Sequence, residues 1–328
     1  MSAGALQHPL LAWYDAHKRP LPFRDQVTPY RTWVSEIMAQ QTTMAVVVPR
    51  FARFIARFPD IETLADADEG EVLELWAGLG YYTRARNIHR AAQEIRDSHG
   101  GIFPGDFAAV LGLPGIGRYT AGAILSIAFQ KPYPVLDGNV ARVFSRLFAI
   151  EDDIKAPATV KALWARAESL VPQERPGDWN QALMELGATV CVPESPRCGE
   201  CPLAKSCAAN ARGLQDRLPV TAAKRAPVDL SWTCLWIEKT GRVLLWRRAD
   251  DERFLRGHWG LPEARHLPVP AGALLKTVRH TITHHRITLQ VRRADAPSSL
   301  PADAEWVPRG RLKERLVSSL YLKSLVVQ

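Results

Sequence analysis

Leu113-Pro114-Gly115-Ile116-Gly117, followed directly by Arg118-Tyr119-Thr120-Ala121-Gly122, is the stretch whose reading decides the fold. Two glycines two positions apart permit a tight turn and let backbone come close to another group. The turn sits between two helix signatures. Asp106 starts a short helix that stops at Gly112-Leu113-Pro114, and a second helix begins near Arg118 and ends before Pro132. A turn that feeds a helix N-terminus presents outward N–H groups with the helix dipole behind them. That arrangement suits a phosphate oxygen and reads no base sequence. Gly115 and Gly117 are the candidate backbone contacts.

Working outward, the periodicity is helical from about residue 7 to about 212. Pro29 opens a long helix that carries Glu36, Met38, Gln40 and Gln41. Asp68 and Glu71 form a capping pair ahead of Val72. A helix from about Thr83 to Ser98 closes on Gly100-Gly101, and further helices are expected near 138–149, 157–171 and 178–189. The pattern then changes. Residues 213–229 have no period and read as a linker. Trp232–Ile237, Val243–Trp246 and Arg286–Val291 read as strands, with Lys239-Thr240-Gly241 as a turn and a tail helix near 309–316. The expected organisation is a helical domain over 1–212, a linker over 213–229 and a small α+β domain over 230–328.

The 328 residues carry a formal net charge of +8 with 47% hydrophobic content, which suits ordinary globular cores and is compatible with a polyanionic partner. No stretch is apolar enough to span a membrane, and the first residues lack the pattern of a signal peptide, so a cytoplasmic protein is expected. Of five cysteines, Cys191, Cys198, Cys201 and Cys207 form C-x6-C-x2-C-x5-C. Four thiolates at such spacing can hold one tetrahedral zinc or a [4Fe–4S] cluster, and spacing leaves both open. Cys234 stands apart on an apolar strand and reads as a core residue.

The glycine turn, Val135-Leu136-Asp137-Gly138-Asn139-Val140 and the cysteine spacing together resemble the helix-hairpin-helix glycosylases related to endonuclease III. Further stretches are similar to the adenine DNA glycosylases (the MutY family): Trp13-Tyr14, Arg19 to Arg24, Pro29-Tyr30, Trp33 to Met38, Gln40-Gln41-Thr42, Gly78-Leu79-Gly80-Tyr81-Tyr82 and Asn180-Gln181-Ala182. This likeness spans about residues 8–210. A weaker one, on Gly257 to Pro262 and Arg279 to His284, is to that family's 8-oxoguanine-reading, Nudix-like domain. The hydrolase signature R-E-x-x-E-E of true Nudix enzymes is absent, so pyrophosphohydrolase activity is not expected. Phe23, Ala39 and Ile282 depart from the family's usual residues.

The resemblance implies a multidomain protein, an all-α helix-hairpin-helix core followed by the small α+β domain, with a [4Fe–4S] cluster on the four cysteines. It implies hydrolysis of the adenine N-glycosidic bond opposite 8-oxoguanine, and opposite guanine, in double-stranded DNA, by a monomer at the bacterial nucleoid. Glu36 would protonate adenine at N7, and Asp137 would remain ionised beside an oxocarbenium-like sugar, the two-carboxylate logic of glycoside hydrolysis. Tyr119 stands where bifunctional relatives carry a Lys that forms an imine. Tyr cannot, so a monofunctional enzyme is expected, with Tyr119 and Asn139 orienting sugar and water. Arg24 and Gln181 would line the adenine pocket. Gln41 and Tyr82 would enter the duplex, and Thr283 and His284 would read the lesion.

Overall fold

The computed structural model describes residues 3–222, 226–249 and 251–326. The chain divides into two compact units, Met1–Val72 with Tyr81–Ala223, and Leu73–Gly80 with Lys224–Gln328.

Helices account for the first part of the chain. They are α1 (Gly4–His17), α2 (Pro22–Asp25), α3 (Pro29–Ala39), α4 (Met44–Arg57), α5 (Ile61–Ala65), α6 (Glu69–Leu75) and α7 (Thr83–His99). Then follow α8 (Phe107–Gly112), α9 (Arg118–Phe129), α10 (Gly138–Leu147), α11 (Pro157–Leu170), α12 (Pro176–Thr189) and α13 (Ala208–Ala211). Local chemistry sets the ends. Thr28 caps α3 by accepting from the Arg31 N–H, and Pro29 fills the first turn, where no N–H is needed. Asp106 caps α8 through the N–H groups of Ala108 and Ala109. Gly100 closes α7 in the left-handed region, at φ 60°.

The two glycines of the α8–α9 turn have different reasons to be there. Gly115 has φ 78°, and a Cβ on it would lie 2.7 Å from the Cβ of Asn87. Gly117 has an ordinary φ of −99° and open space where its Cβ would point. Among the described residues nothing requires glycine at 117. Its bareness leaves the N-terminus of α9 open to an approaching group.

Behind the turn, α9 packs against α3 and α12, and α12 packs against α10 and α1. The core of this side unites Leu10, Tyr14, Ile127, Phe144, Trp179 and Leu183. Small residues bring backbones close. A Cβ on Gly122 would come within 2.2 Å of the Pro134 carbonyl oxygen, and one on Gly177 within 2.6 Å of the Ser126 carbonyl oxygen. The chain ahead of α10 therefore lies directly on α9, which delivers Asp137 to the same side as Tyr119.

The second unit is built on two sheets. Its strands are β1 (Val228–Trp236), β2 (Glu238–Lys239), β3 (Arg242–Arg247), β4 (Trp259–Gly260), β5 (Leu274–Ile282), β6 (His285–Arg293) and β7 (Ala304–Pro308). The first sheet runs β1-β6-β5, with β1 parallel and β5 antiparallel to β6. In the second, β2, β4 and β7 all pair antiparallel with β3. Two short helices follow, α14 (Leu312–Arg315) and α15 (Ser319–Ser324). Cys234 is fully enclosed in the core between the strands, and burial holds its thiol far above the usual range.

Some elements differ from the sequence expectation. The tail helix near 309–316 is a 3-10 turn over 309–311 continued by the four residues of α14. Strands β5 and β7 were not expected. Within 213–229, Leu214 and Leu218 are buried beside Ala209, and β1 begins at Val228. Gly122→Ala should lower the stability of the helical unit by roughly 1–3 kcal/mol, because the atom it meets is backbone and cannot rotate away. A drop in the thermal midpoint with unchanged helical circular dichroism at low temperature is the expected result.

Candidate active site

Three helices and one helix cap converge on a half-buried pair of carboxyl groups. Glu36 projects from α3, and the Tyr119 hydroxyl of α9 donates to its Oε2 at 2.6 Å. The Met184 sulfur, on α12, lies 3.2 Å from the same hydroxyl. Burial pushes Glu36 up to about 7, the nearby Asp137 adds to the rise, and the Tyr119 hydrogen bond and Arg24 oppose it. A carboxyl in this range carries its proton for much of the time at neutral pH, as a general acid requires. Tyr119 itself is driven well above its usual value, first by burial and then by the two carboxylates, so it remains a neutral hydroxyl.

Asp137 is the N-cap of α10. Its Oδ1 accepts from the Val140 N–H at 2.7 Å, and its Oδ2 from the Asn139 side chain at 3.0 Å. Burial raises this carboxyl, while those donors and the Arg142 charge work against the rise. The two carboxyls are thus treated differently. Glu36 has a single hydroxyl donor, whereas Asp137 has a cap, an amide and a distant guanidinium that favour its ionised form.

Asn139 is fixed in turn. Its Oδ1 accepts from Arg142 Nη2 at 2.8 Å, and Arg142 also donates to the carbonyls of Gly187 and Cys191 at 2.8 and 2.9 Å. Gly187 must be small, because a Cβ there would lie 2.7 Å from the Asn139 Cβ. The chain of contacts ends in the cysteine loop. Arg146, 2% exposed, donates to the Cys191 sulfur at 3.4 Å and to the carbonyls of Val192, Pro193 and Leu218. Cys191, Cys198, Cys201 and Cys207 are free thiols that line one cavity together with Arg146. Burial, reinforced by the neighbouring thiolates, raises Cys201 to about 11. Among the described residues no group of three or more Cys, His, Asp or Glu side chains is assembled as a single-ion site.

On the other side, Arg24 donates to Gln181 Oε1 at 3.2 Å, which brings together the two residues expected to form a pocket wall. Gln41 is exposed just past α3, with φ 56°. Arg84 at the start of α7 reaches back to the Ile37 and Met38 carbonyls and the Thr42 hydroxyl, tying that turn to the tyrosine pair. Here the structure corrects the expectation for Tyr82. Its side chain is only 9% exposed, so it cannot enter a duplex, whereas Tyr81 is 50% exposed with φ 47°. The outward ring of the pair belongs to Tyr81.

The model of the HhH-GPD superfamily of base excision DNA repair proteins matches residues 34–169. Adenine DNA glycosylase of Buchnera aphidicola (subsp. Acyrthosiphon pisum) is 40% identical over 247 residues, covering 73% of this chain and 71% of that protein. The mouse adenine DNA glycosylase is 44% identical over an alignment of 380 residues, covering 92% of this chain and 74% of its own length.

The chain belongs to the adenine DNA glycosylase family.

It is a DNA N-glycosylase of base excision repair. The human adenine DNA glycosylase is 44% identical over 235 residues, and the match spans 43% of that longer protein. Among solved structures, a thermostable thymine-DNA glycosylase superposes with a TM-score of 0.58 at 28% identity, over 64% of this chain and 97% of its own. An endonuclease III in a non-covalent DNA complex gives 0.53 at 22% identity, over 66% and 99%, which shows the shared helical fold.

In the sheet-containing unit of this glycosylase, Thr283 and His284 form the two-residue turn between β5 and β6, where Ile282 pairs with His285. Thr283 has φ 55°, an uncommon conformation for a β-branched residue. Its hydroxyl donates to the Ile282 carbonyl at 2.7 Å, and the His284 carbonyl accepts from the Val228 N–H at 2.9 Å.

Sequence reading gave no role to Glu185, Arg142 or Arg146. Glu185 had a signal, since it follows Gln181 by four positions and so shares its helix face. Tyr119→Phe removes the hydrogen bond that favours ionised Glu36. Followed by carboxyl-carbon NMR, Glu36 should titrate near 7 in the parent and at higher pH in the variant.

Proposed function

We propose that this glycosylase removes adenine paired with 8-oxoguanine, and with guanine, by a monofunctional hydrolysis that leaves an abasic site. The observation that carries the reading is a half-buried Glu36, raised to about 7, hydrogen-bonded to a tyrosine where an imine-forming amine would be needed for strand cleavage. Adenine is flipped out of double-stranded DNA and taken into the pocket walled by Arg24 and Gln181. Glu36 gives its proton to N7, the glycosidic bond breaks, and the electron pair of that bond leaves with the base. Asp137, held by the Val140 N–H and Asn139, faces the positive charge that develops on the sugar. Water then adds to the sugar carbon and gives its proton to the Glu36 carboxylate, which restores the acid. Tyr119 contributes a neutral hydroxyl that orients Glu36 and has no nitrogen with which to form a Schiff base.

Gln41 and Tyr81 fill the gap left in the duplex, Tyr81 by stacking, and the bare N–H groups of Gly115 and Gly117 receive a phosphate. The second unit is Nudix-like in this reading. Thr283 and His284 recognise 8-oxoguanine, whose N7–H needs an acceptor that guanine cannot use. The Thr283 oxygen suits this, because its own proton is already engaged by Ile282. Cys191, Cys198, Cys201 and Cys207 would hold a [4Fe–4S] cluster. Four thiols around one cavity, with an Arg146 N–H on Cys191, form a donor set that fits a thiolate-bound cluster. When bound it would fasten the loop beyond α12, and it takes part in no step above. The enzyme acts as a monomer in the cytoplasm at the nucleoid, and the free cysteines accord with a reducing compartment.

The test uses a labelled duplex with adenine opposite 8-oxoguanine, and adenine opposite thymine as control. Strand breaks are expected only after hot alkali and only with the lesion. The acid must be protonated, so the single-turnover rate should be full below about 7 and fall as pH rises through that value. Glu36→Gln should keep duplex affinity and lose excision. Breaks without alkali, or parental rates from Glu36→Gln, would sink the assignment.

A further inference from the structure

Glu185 plays no part in the chemistry above, yet its side chain is 1% exposed and both oxygens are occupied. Arg19 grips it with a fork, Nε to Oε1 at 2.6 Å and Nη2 to Oε2 at 3.1 Å, and the Arg19 backbone N–H reaches Oε1 at 3.3 Å. Arg24 donates through Nη2 to Oε2 at 2.8 Å. The remaining directions of Arg24 go to the Arg19 carbonyl at 3.0 Å and to Gln181 Oε1 at 3.2 Å. A guanidinium only donates, so Gln181 must turn its carbonyl toward Arg24 and leave its NH2 for the pocket. The guanidinium of Arg24 also lies 5.5 Å over the Tyr14 ring. Burial alone would raise Glu185, but hydrogen bonds from Arg19 and Arg24 overcome it and hold the carboxyl below its usual range.

The charge balance matters to Glu36. The titratable groups that act on it are Tyr119 from α9, Asp137 at the cap of α10 and Arg24 from α2. Helices α4 and α7, also packed on α3, contribute none of these. Arg24 is the one cation among them, and Glu185 is its direct counter-ion.

We propose that Glu185 is a positioning residue for adenine excision: it sets the Arg19–Arg24–Gln181 wall and offsets part of the guanidinium charge that bears on Glu36. The proposal rests on Glu36 being the acid. Without Glu185, two cations remain unbalanced beside the pocket, Glu36 gives up its proton more readily, and excision fails at a lower pH.

Single-turnover excision from the lesion duplex, followed across pH, separates this role from mere support of the fold. Glu185→Gln keeps the shape and one acceptor oxygen. Its high-pH fall-off should move to lower pH by about half a unit or more. Arg19→Gln removes a cation and leaves Glu185 to Arg24 alone, so its fall-off should move to higher pH. Rates lowered equally at every pH, with the midpoint fixed in both variants, would overturn the proposal. Should Glu185→Gln not fold, Arg19→Gln decides alone, and an unmoved midpoint there refutes the idea. A parent enzyme with no fall-off near pH 7 would fault the Glu36 reading instead.

Discussion

Taking a carboxyl group out of water raises its affinity for a proton, a single hydroxyl donor takes back only part of that rise, and much of the helical unit serves this balance. Glu36 sits on a helix whose other residues, Trp33, Val34, Ile37 and Met38, are buried. Tyr119 approaches from α9 because Gly122 lets that helix lie against the Pro134 segment. The result is a compromise between burial, which favours the neutral acid, and the Tyr119 hydrogen bond with the Arg24 charge, which favour the anion. Too much of either would leave a group that never gives its proton or never holds one.

The second carboxyl is managed by the opposite means. Asp137 is supplied with donors, and those donors are themselves anchored through Asn139, Arg142 and the carbonyls of Gly187 and Cys191. This polar chain is satisfied along its length, which is the condition under which a partly buried network gives rigidity rather than cost. It also makes the Asp137 cap and the cysteine loop one mechanical piece. Arg146 extends that piece, its guanidinium donating to three backbone carbonyls and to the Cys191 sulfur.

Much of this was legible in the amino-acid order because its signals are local. Pro29, Gly100, Asp106 and Gly115 act within a turn of where they stand, and the helix boundaries follow from them. Glu36 shares a hydrogen bond with Tyr119, and Asp137 with Asn139, all four at positions the resemblance singled out. What sequence could not show depends on distant packing. Tyr81 and Tyr82 are identical and adjacent, and only the left-handed turn at Tyr81 decides which ring faces outward. Glu185 looks like any helical glutamate until Arg19 and Arg24, more than 150 positions away, close on it. Strand β5 escaped notice because its burial alternates imperfectly, although it pairs with the next strand, and β7 because its partner β3 lies far back in the chain.

Asp137 both starts a helix and faces the reacting sugar in the proposed reaction, and the two duties differ in what they tolerate. A helix cap accepts asparagine about as well as aspartate. A negative charge does not survive that exchange. Cellular quality control weighs chains by how readily they unfold, so it has little means of telling the two apart. A lineage that acquires asparagine at 137 would keep a full complement of well-folded protein that still docks on DNA and never completes the proposed reaction. Such a molecule would stand guard over the damage and keep other repair enzymes from it.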